Sequence, residues 1–516
     1  MTYTIDDALA AVNAAPEGEA ICAFFDFDGT LIDSYSATAY FTDRIRSGEA
    51  DWCEIAGMLS LLVQGEISDE EFKKIISNGV LDWAGRSEDE MRALWTRLFK
   101  EKISDWLFPE AWRLVQAHKR RGHTVVIASS ATPYQAAPLA AEMGIEHLLC
   151  TQPMVRNGRL TGGLVGEPLW GEGKANAVKK FAKTHKVALK HCFAYANGNE
   201  DVPFLKTVGH ATAVNGKPQL HEVAREQGWP ILKFERRSKP TLAAVARTVG
   251  AYGAMAVSFA IGLGYAKATG KTRRAVDMIS AVGSDWGLAV AGIEVEVHGE
   301  HNLWAQRPAV FLLNHQSKLD FFVMMYITRR GFTGVAKKEA ANTPGFGPFM
   351  RMADMVFIDR ANVAHAREAL APVVEKIKGG LCLCIAPEGT RSCSPRVGPF
   401  KKGAFHIARQ AGVPVVPVVI RNAAEMMSRN GQSFRPGKVQ VAVLPPIDVT
   451  AWKSSEMDAK VAEVRQQFID TLEHWPGETA ALPAPGAVSV VVPGPVPGVV
   501  PGAASTSKRR KAGARA

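Results

Sequence analysis

The sequence contains few cysteines, and their positions exclude a disulfide-stabilised fold. Seven cysteines occur among 516 residues, and strand-like apolar runs hold five of them, Cys22, Cys150, Cys192, Cys382 and Cys384. Buried thiols of this kind are typical of a reducing compartment. Cys382 and Cys384 lack the second pair of ligands that a structural zinc site needs, so zinc is excluded as well.

The sequence also lacks an export signal and an internal repeat. Residues 1–19, "MTYTIDDALAAVNAAPEGE", form an acidic leader without the basic segment and apolar core of a secretory signal. We therefore predict that catalysis takes place on the cytoplasmic side.

The composition is that of a globular protein with a basic surface. The length predicts roughly two to four domains, and 47% hydrophobic with 22% charged residues is ordinary for a folded chain. The net charge of +10 favours an anionic partner. Nucleic acid, a lipid surface and phosphorylated metabolites all fit this charge, as does a basic surface with no partner.

Alternating patterns divide the chain into two α/β units. Residues 20–230 contain strand runs such as "ICAFFDF", "TVVIASS" and "KHCFAYAN", interrupted at about 34–109 by a stretch with helical spacing. A bridge at 231–285 precedes a second unit at 286–475, with "AVFLLN", "GLCLCIAP" and "VPVVPVVI". The Pro/Gly-rich tail, 476–516, is predicted to be disordered.

Two carboxylates follow the first strand, in "AFFDFDGTLIDS". A buried charge is unfavourable unless it is paired or bound to a metal, and strand alternation points Asp26 and Asp28 the same way. One carboxylate can attack phosphorus while the other protonates the leaving oxygen, given a cation that offsets the crowded charge. Gly29 permits a sharp exit from the strand, and Thr30 adds a hydroxyl. This pattern favours phosphoryl transfer.

Residues 20–225 resemble the haloacid dehalogenase superfamily, in particular the phosphoserine-phosphatase-like hydrolases of subfamily IB. The resemblance implies that Asp26 is the nucleophile, that Asp28 is the general acid/base, and that both help to hold Mg²⁺. In "YANGNEDVPFL" it adds Asp201 and Asn197 to the metal site. Asn197 replaces the acidic residue usual in the family, so we expect weaker metal binding.

Two further motifs of the first unit match the same family. The resemblance implies that Ser129, at the end of "TVVIAS", binds a phosphate oxygen and that Lys174, in "GEGKANAVKKF", faces the transferring phosphoryl group. It also implies that the helical insertion is a cap over the site. A domain that binds a phosphometabolite without hydrolysing it remains the alternative.

A histidine and an aspartate lie five residues apart in "FLLNHQSKLDFF". On an ideal helix five residues turn through about 500°, which leaves the two side chains roughly 140° apart. They can meet only if His315 lies in the turn before the helix that carries Asp320. Asp320 would then hold the imidazole tautomer while the other ring nitrogen takes a proton from a hydroxyl.

Three more blocks follow in order, and each adds polar residues beside a strand or a tight turn. They are "KKEAANTPGFGPFMRMADMVFIDR", "IAPEGTRS" and "FKKGAFHIARQAGVPVVPVVI". Arg360 ends the first block, and Arg391 lies in the second. The fork of an arginine suits bidentate phosphate binding, so two arginines beside glycine turns form a plausible phosphate cradle.

These blocks, over about 286–440, look like the glycerolipid acyltransferases of the 1-acylglycerol-3-phosphate acyltransferase type. The resemblance implies that His315 is the general base and Asp320 its orienting partner. It implies an acyl thioester of coenzyme A or acyl carrier protein as the donor. It also implies that the phosphate of the acceptor is bound by Arg360, Glu388, Gly389, Thr390 and Arg391. Asp354 stands where the family usually has glycine, so we expect altered local geometry there.

The bridge carries an uncharged run of 19 residues, 248–266, which is just long enough to span a bilayer. Basic residues flank it on both sides, so the positive-inside rule gives no orientation. A single span would put the two catalytic domains on opposite faces. We therefore favour a shallow or re-entrant helical segment on anionic lipid, with a true span and a buried soluble helix as alternatives.

Together these patterns predict a bifunctional, membrane-associated enzyme of phospholipid biosynthesis. One domain would acylate lysophosphatidate with an acyl thioester, and the other would be a Mg²⁺-dependent phosphatase of small phosphate esters. Nucleic acid is not expected as a partner. One alternative is an acyltransferase for another lysophospholipid or a glycolipid acceptor. Another makes the first domain a non-catalytic sensor of a phosphometabolite.

Overall fold

The strand–helix alternation of residues 20–230 folds into a parallel sheet covered on both faces. A computed structural model describes residues 3–49, 69–237, 240–343, 346–358 and 371–477. Within that part of the chain, residues up to His474 belong to one compact unit. Arg360, part of the predicted cap and nearly all of the predicted disordered tail lie outside the described residues.

The first sheet has six parallel strands in the order β3-β2-β1-β6-β7-β8. A separate hairpin pairs β4 with β5. The strands are β1 (Cys22–Phe25), β2 (Thr124–Ser129), β3 (His147–Cys150), β4 (Pro153–Arg156), β5 (Arg159–Leu164), β6 (Phe193–Ala196), β7 (His210–Val214) and β8 (Ile231–Leu232).

Helices pack on both faces of this sheet. They are α1 (Ile5–Ala14), α2 (Ser36–Ser47), α3 (Asp69–Leu81), α4 (Glu88–Glu101), α5 (Pro109–Arg120), α6 (Pro133–Met143), α7 (Glu172–Thr184), α8 (Val202–Leu205) and α9 (Pro218–Gln227). Alternation along β1 places Phe24 in the core on one face and Phe25 in the core on the other. A parallel sheet buried on both faces explains the continuous apolar runs of the sequence.

Where the structure describes it, the predicted helical insertion contains α2, α3, α4 and a short 3-10 helix, Ile103–Trp106. No strand longer than an isolated bridge occurs among its described residues. Trp83 and Trp95 are buried and pack edge-on against each other, at 6.2 Å between ring centroids. Both rings belong to the same core cluster as Phe25 of β1, so aromatic packing joins the insertion to one face of the sheet.

The acidic leader is partly helical. Thr4 caps α1 in a capping box with Asp7, and Ala8 and Val12 are buried in the core of the first sheet. Arg113 of α5 pairs with Asp6 at 2.9 Å. The leader therefore contributes to the packing of the hydrolase-like unit.

The bridge folds as a helical hairpin of α10 (Leu242–Thr269) and α11 (Thr272–Ala291). Small residues allow the two helices to approach closely, because a Cβ atom built on Gly262 would lie 2.2 Å from Cγ1 of Ile279. Among the described residues α10 is the one helix long and apolar enough to cross a membrane, by length and composition.

The second unit contains a mixed sheet in the order β12-β11-β13-β10-β14-β15-β9. Its strands are β9 (Ile293–His298), β10 (Val310–Leu313), β11 (Phe332–Lys337), β12 (Val356–Ile358), β13 (Cys382–Ile385), β14 (Val415–Ile420) and β15 (Gly437–Val443). Only the pair β14–β15 is antiparallel among the pairings described for this sheet. The prediction of two α/β units is confirmed.

The helices of the second unit complete its two outer layers. They are α12 (Asn302–Ala305), α13 (Leu319–Thr328), α14 (Phe346–Met352), α15 (Ala371–Lys378), α16 (Gly403–Ala411), α17 (Ala423–Met426) and α18 (Met457–Glu473). Helix α13 is almost entirely buried, with Phe322, Val323 and Met324 in the core. The six cysteines among the described residues are free thiols.

Candidate functional sites

The first site lies where the parallel strands end. Asp26 follows β1, Asn197 follows β6, and Ser129 is the last residue of β2. The strand order reverses between β1 and β6, and open α/β sheets bind ligands at such a point. The backbone N–H of Asp26 donates to the carbonyl of Tyr195 at 2.9 Å, which ties the exit of β1 to β6.

Lys174 is buried between two of the predicted site carboxylates. Its Nζ donates to Asp26 Oδ1 at 2.9 Å and to Asp201 Oδ1 at 2.5 Å. Burial alone would lower the pKa of Lys174, but the carboxylates of Asp201 and Asp26 outweigh it and raise that pKa. Burial raises the pKa of Asp26 despite the opposing charge of Lys174. Lys174 is therefore a fixed cation within reach of the predicted nucleophile.

Asp28 is connected to the beginning of the cap. Its Oδ1 accepts the backbone N–H of Ser36 at 2.7 Å, and its Oδ2 accepts the Ser36 hydroxyl at 3.1 Å. Burial raises the pKa of Asp28 to about 7, against the effect of these hydrogen bonds. Gln135 in turn donates to the Ser36 hydroxyl at 2.9 Å. Sequence reasoning did not identify Ser36, because nothing in its neighbourhood marks it as a partner of Asp28.

Ser129 is buried at the edge of the same site. Its hydroxyl accepts the backbone N–H of Ala131 at 3.2 Å. The structure brings five of the predicted residues of the first unit together through direct hydrogen bonds or through adjacent strand ends: Asp26, Ser129, Lys174, Asn197 and Asp201.

The amide of Asn197 tests whether this site suits Mg²⁺. One of the two terminal atoms of the Asn197 amide, either the oxygen or the nitrogen, faces the two aspartates. It lies 3.3 Å from Asp26 Oδ2, 3.0 Å from the Asp28 carbonyl and 3.3 Å from Thr30 Oγ1. Donors of an octahedral Mg²⁺ lie about 2.9 Å apart. With its oxygen in that position, Asn197 completes a set of hard oxygen donors of suitable spacing. With its nitrogen there, the amide hydrogen-bonds to the same oxygens.

One carboxylate side chain, that of Asp26, contributes to this donor set. No group of three or more His, Cys, Asp and Glu side chains is placed to hold a metal ion in the part of the chain that the structure describes. Asp201, the fourth predicted metal residue, instead pairs with Lys174 and accepts the backbone N–H of Gly198 at 3.2 Å. The residues therefore fit Mg²⁺ with the Asp26 carboxylate, the Asn197 amide oxygen and the Asp28 carbonyl.

The second site is built on the turn between β10 and α13. His315 lies in this turn, and Asp320 is the second residue of the helix, as the helical geometry requires. His315 Nδ1 and Asp320 Oδ2 are 2.7 Å apart. The same oxygen accepts the backbone N–H groups of Gln316 at 2.8 Å and Ser317 at 2.9 Å. An ionised carboxylate can only accept hydrogen bonds, so this contact assigns the proton to Nδ1 and leaves the Nε2 lone pair available.

The two members of this pair differ in exposure. The Asp320 side chain is fully buried, whereas 30% of the His315 side chain is exposed. A buried carboxylate is rigid, and a partly exposed imidazole can meet a hydroxyl from outside. This combination is the arrangement of an oriented general base.

Glu388 holds the backbone around His315. Its Oε1 accepts the N–H of His315 at 2.8 Å, and its Oε2 accepts the N–H of Gly398 at 2.7 Å. Burial raises the pKa of Glu388, against these two hydrogen bonds. Ser392 adds a further contact, since its N–H donates to the His315 carbonyl at 2.7 Å. Glu388 and Ser392 therefore fix the turn that carries His315.

Four of the five predicted acceptor-binding residues, all except Arg360, occupy one loop after β13. Gly389 has a φ of +74° and Thr390 is exposed beside it. Arg391 is half-buried, and its guanidinium donates to the carbonyl of Arg429. Lys318, half-buried, precedes α13 and donates to the Gly431 carbonyl at 3.1 Å. Lys318 was not among the predicted site residues, although its place within the "NHQSKLD" block could have indicated it.

Asp354 adopts the backbone conformation that glycine favours. Its φ is +63°, in the left-handed region, and its carboxylate pairs with Lys376 at 2.7 Å. Aspartate is among the residues that tolerate this region best. The usual glycine of the family and the aspartate of this chain therefore satisfy the same turn.

Two family models match the chain, one on each site. The haloacid dehalogenase-like hydrolase model matches residues 23–206, and the acyltransferase model matches residues 294–421. The chain belongs to the haloacid dehalogenase-like hydrolases through its first unit, and it carries an acyltransferase-family domain in its second.

Relatives are similar to one half or the other. A phosphoserine phosphatase of Mycobacterium tuberculosis is 33% identical over 245 residues, which are 45% of this chain and 79% of the relative. The 1-acyl-sn-glycerol-3-phosphate acyltransferase of Saccharomyces cerevisiae is 37% identical over 185 residues, 35% of this chain. The match covers 61% of that yeast protein's own length.

A solved structure is similar over the second half. The 1-acyl-sn-glycerophosphate acyltransferase PlsC of Thermotoga maritima is 26% identical, with a TM-score of 0.39. The similarity covers 44% of this chain and 95% of that protein.

Proposed function

We propose that the acyltransferase domain converts lysophosphatidate to phosphatidate with an acyl thioester of coenzyme A or acyl carrier protein. The observation that carries this proposal is the His315–Asp320 pair, in which the buried carboxylate orients a partly exposed imidazole. The acceptor follows from the acyltransferase relatives, whose names specify 1-acylglycerol 3-phosphate.

The proposed reaction begins when Nε2 of His315 takes the proton of the free glycerol hydroxyl. The hydroxyl oxygen forms a bond to the thioester carbonyl carbon, and the tetrahedral intermediate then loses the thiolate. The imidazolium returns its proton to the thiolate sulfur, so that atoms and charge balance. Asp320 stabilises the imidazolium between these two steps.

Arg391 is our candidate for the acceptor phosphate, together with Arg360, which lies outside the described residues. A half-buried guanidinium suits an anionic head group because its planar fork matches phosphate oxygens. In this proposal Glu388 acts through the backbone, since both of its oxygens accept N–H groups around the His315 turn.

For the first unit we propose a phosphatase of small soluble phosphate esters. Asp26 would attack phosphorus and form an aspartyl phosphate, while Asp28 protonates the leaving alcohol oxygen. Water then attacks the same phosphorus, Asp28 takes its proton, and inorganic phosphate leaves. Lys174 and Ser129 would hold the phosphoryl oxygens.

Asp26, the Asp28 carbonyl and Asn197 would hold Mg²⁺ in this site. When bound, Mg²⁺ supplies positive charge against the phosphoryl oxygens and offsets the crowded carboxylates. The cap beginning at Ser36 limits access, which favours small substrates over a two-chain lipid.

We further propose that the helical hairpin seats the protein on an anionic membrane surface. Exposed apolar side chains follow one stripe of α10, at Leu242, Val245, Val249, Val257 and Ile261. Exposed basic residues flank the uncharged run 248–266 of α10, at Arg247, Lys267, Lys271 and Arg274. An apolar stripe with basic flanks is typical of a helix that lies in a lipid interface.

One variant of each site, made in the full-length protein and assayed for both activities, tests the two proposals. The His315→Ala variant should reduce acyl transfer from acyl-coenzyme A to lysophosphatidate by about a thousandfold, because a general base contributes about 10² to 10⁴ in rate. Its Mg²⁺-dependent hydrolysis of p-nitrophenyl phosphate should not change. The Asp26→Asn variant should show the reverse pattern.

The exposed His301 provides a matched control, and His301→Ala should leave both activities intact. Native acyl transfer by His315→Ala would contradict the base assignment. A wild type that acylates lysophosphatidylcholine or a glycolipid faster than lysophosphatidate would favour the alternative acceptor. A wild type without phosphatase activity would favour the sensor.

A further inference from the structure

The hydrolase-like unit contacts the acyltransferase domain beside the predicted acceptor-binding residues. The contact is made by the loop of residues 428–431, which follows α17 and precedes β15. This loop, named here the 428–431 loop, has acyltransferase side chains on one side and the end of the cap on the other.

On the acyltransferase side the loop holds Arg391 and Lys318. The Arg391 guanidinium donates to the Arg429 carbonyl, and Arg429 Nε returns a hydrogen bond to the Arg391 carbonyl at 3.1 Å. Lys318 Nζ donates to the Gly431 carbonyl at 3.1 Å. The positions of both cations therefore depend on where the loop lies.

On the hydrolase side the loop is bound by the end of α4 and by the 3-10 helix. The backbone N–H of Asn430 donates to Asp105, at 3.0 Å from Oδ1 and 3.2 Å from Oδ2. The Asn430 amide donates to the carbonyls of Lys100 and Glu101, both at 3.0 Å. The Arg429 guanidinium also donates to the Lys100 carbonyl.

Asp105 rests on a rigid support. Its 3-10 helix has Ile103 and Trp106 buried in the hydrolase core. The Trp106 carbonyl accepts the N–H of Asp33 at 2.8 Å. A side chain on a packed element holds its partner more firmly than one on a free loop.

We propose that Asp105 of the hydrolase-like unit is a positioning residue of the acyltransferase site. It anchors the 428–431 loop, and the loop holds Arg391 and Lys318 where the phosphate of the lipid acceptor binds. The inference rests on the proposed acyltransferase function and deepens it. Both units would then contribute to the acceptor subsite, because the residue that anchors the 428–431 loop belongs to the hydrolase-like unit and not to the acyltransferase domain.

The Asp105→Ala variant of the full-length protein tests the anchor. The KM for lysophosphatidate should rise about tenfold, because a misplaced phosphate-binding cation weakens acceptor binding. The kcat and the KM for acyl-coenzyme A should stay within about twofold of wild type, since His315 and Asp320 are untouched. Asp105→Asn should restore most of the affinity, because its amide oxygen still accepts the Asn430 N–H.

A contact between the acyltransferase domain and the bridge provides the matched control. Arg435, which follows the 428–431 loop, donates to the carbonyls of Arg236 and Arg237 in the bridge. Arg435→Ala should leave the KM for lysophosphatidate unchanged. An equal rise in both alanine variants would indicate a general interface effect and would overturn the proposal.

Amide hydrogen exchange separates this inference from the proposed function. Exchange at residues 427–432 and 389–394 should accelerate in Asp105→Ala, with p-nitrophenyl phosphate hydrolysis as the check on folding. Asn430→Ala, which removes the contacts to Lys100 and Glu101, should accelerate exchange in the same peptides. Wild-type exchange in both variants would overturn the anchor whatever the acceptor is, whereas a wild type that does not acylate lysophosphatidate would overturn only the proposed function.

Discussion

At the scale of single residues, similar side chains make different contacts. Asp320 and Glu388 are both buried carboxylates of the acyltransferase site. Asp320 accepts a hydrogen bond from the imidazole of His315, whereas Glu388 accepts one from the backbone N–H of the same residue. Residue type and spacing do not distinguish these roles, because the difference lies in which atom each oxygen reaches.

Asn197 provides a prediction at this scale. Asn197→Asp should tighten Mg²⁺ binding by about tenfold or more, since an added carboxylate contributes charge that an amide oxygen lacks. Isothermal titration of the full-length protein with MgCl₂ measures the change. Asn199→Asp is the control, because it adds the same charge beside the site while the Asn199 Oδ1 accepts the N–H of Leu220 at 3.0 Å. Equal affinity in the wild type and Asn197→Asp would remove Asn197 from the metal site.

At the scale of elements, glycine and alanine make the α10–α11 hairpin possible. Small residues at the contact let the helices approach, and Ser258 of α10 donates to the Ile279 carbonyl of α11 at 3.4 Å. The same small residues lower the hydrophobicity of α10. The packing of the hairpin therefore explains in part why α10 is less hydrophobic than a typical membrane span.

Two glycines of α10 should respond to substitution in opposite directions. Gly262→Ala should destabilise the protein by about 1–3 kcal/mol, because the new methyl group collides with Ile279. Gly264→Ala meets no atom within 4 Å, and alanine should stabilise an exposed helix position by about 0.5–1 kcal/mol. Thermal unfolding followed by circular dichroism compares the two variants. A lower midpoint for Gly264→Ala, or an unchanged one for Gly262→Ala, would contradict the hairpin packing.

At the scale of the whole molecule, two active-site geometries share one compact unit. The described residues up to His474 form one compact unit, and the 428–431 loop is bound from both sides. Any membrane contact of the hairpin would therefore hold both units at the lipid surface.

Flotation of the full-length protein with lipid vesicles tests this arrangement. Vesicles of phosphatidylcholine with phosphatidylglycerol should bind the protein more strongly than phosphatidylcholine alone, and high salt should weaken that preference. The double variant Val249→Glu and Ile261→Glu should bind at least about tenfold more weakly, because two carboxylates oppose insertion of the apolar stripe. Val165→Glu, at another exposed valine, should bind like the wild type. Equal binding by both variants would exclude this stripe.

Much of the fold was predictable because its signals are local. Apolar runs of four to seven residues followed by Asp26, Ser129, Asn197 and His315 mark strand ends, and parallel strands bring such ends to one edge. The helical spacing of the insertion and of the bridge predicted their type. The capping box of Thr4 and Asp7 was a readable signal for α1 that our prediction did not use.

Other features were not predictable because they depend on how separate elements pack against each other. Asp28 and Ser36 are close in sequence, but the contact depends on how the cap leaves the sheet. Asp105 and Asn430 are separated by 325 positions. No local pattern constrains such a pair, since only packing of the two units determines which surfaces meet.

The amino-acid sequence by itself determined two α/β units, a helical insertion, the place of Asp26 and Asp28 after the first strand, the contact of His315 with Asp320, and the apolar bridge. These follow from periodicity and from spacing within a few residues, where backbone geometry leaves few choices. Only the tertiary structure decided that Glu388 supports the His315 turn and that Asp105 reaches the loop beside Arg391. The reason is physical, because burial and hydrogen bonding between distant segments depend on packing that no local pattern encodes.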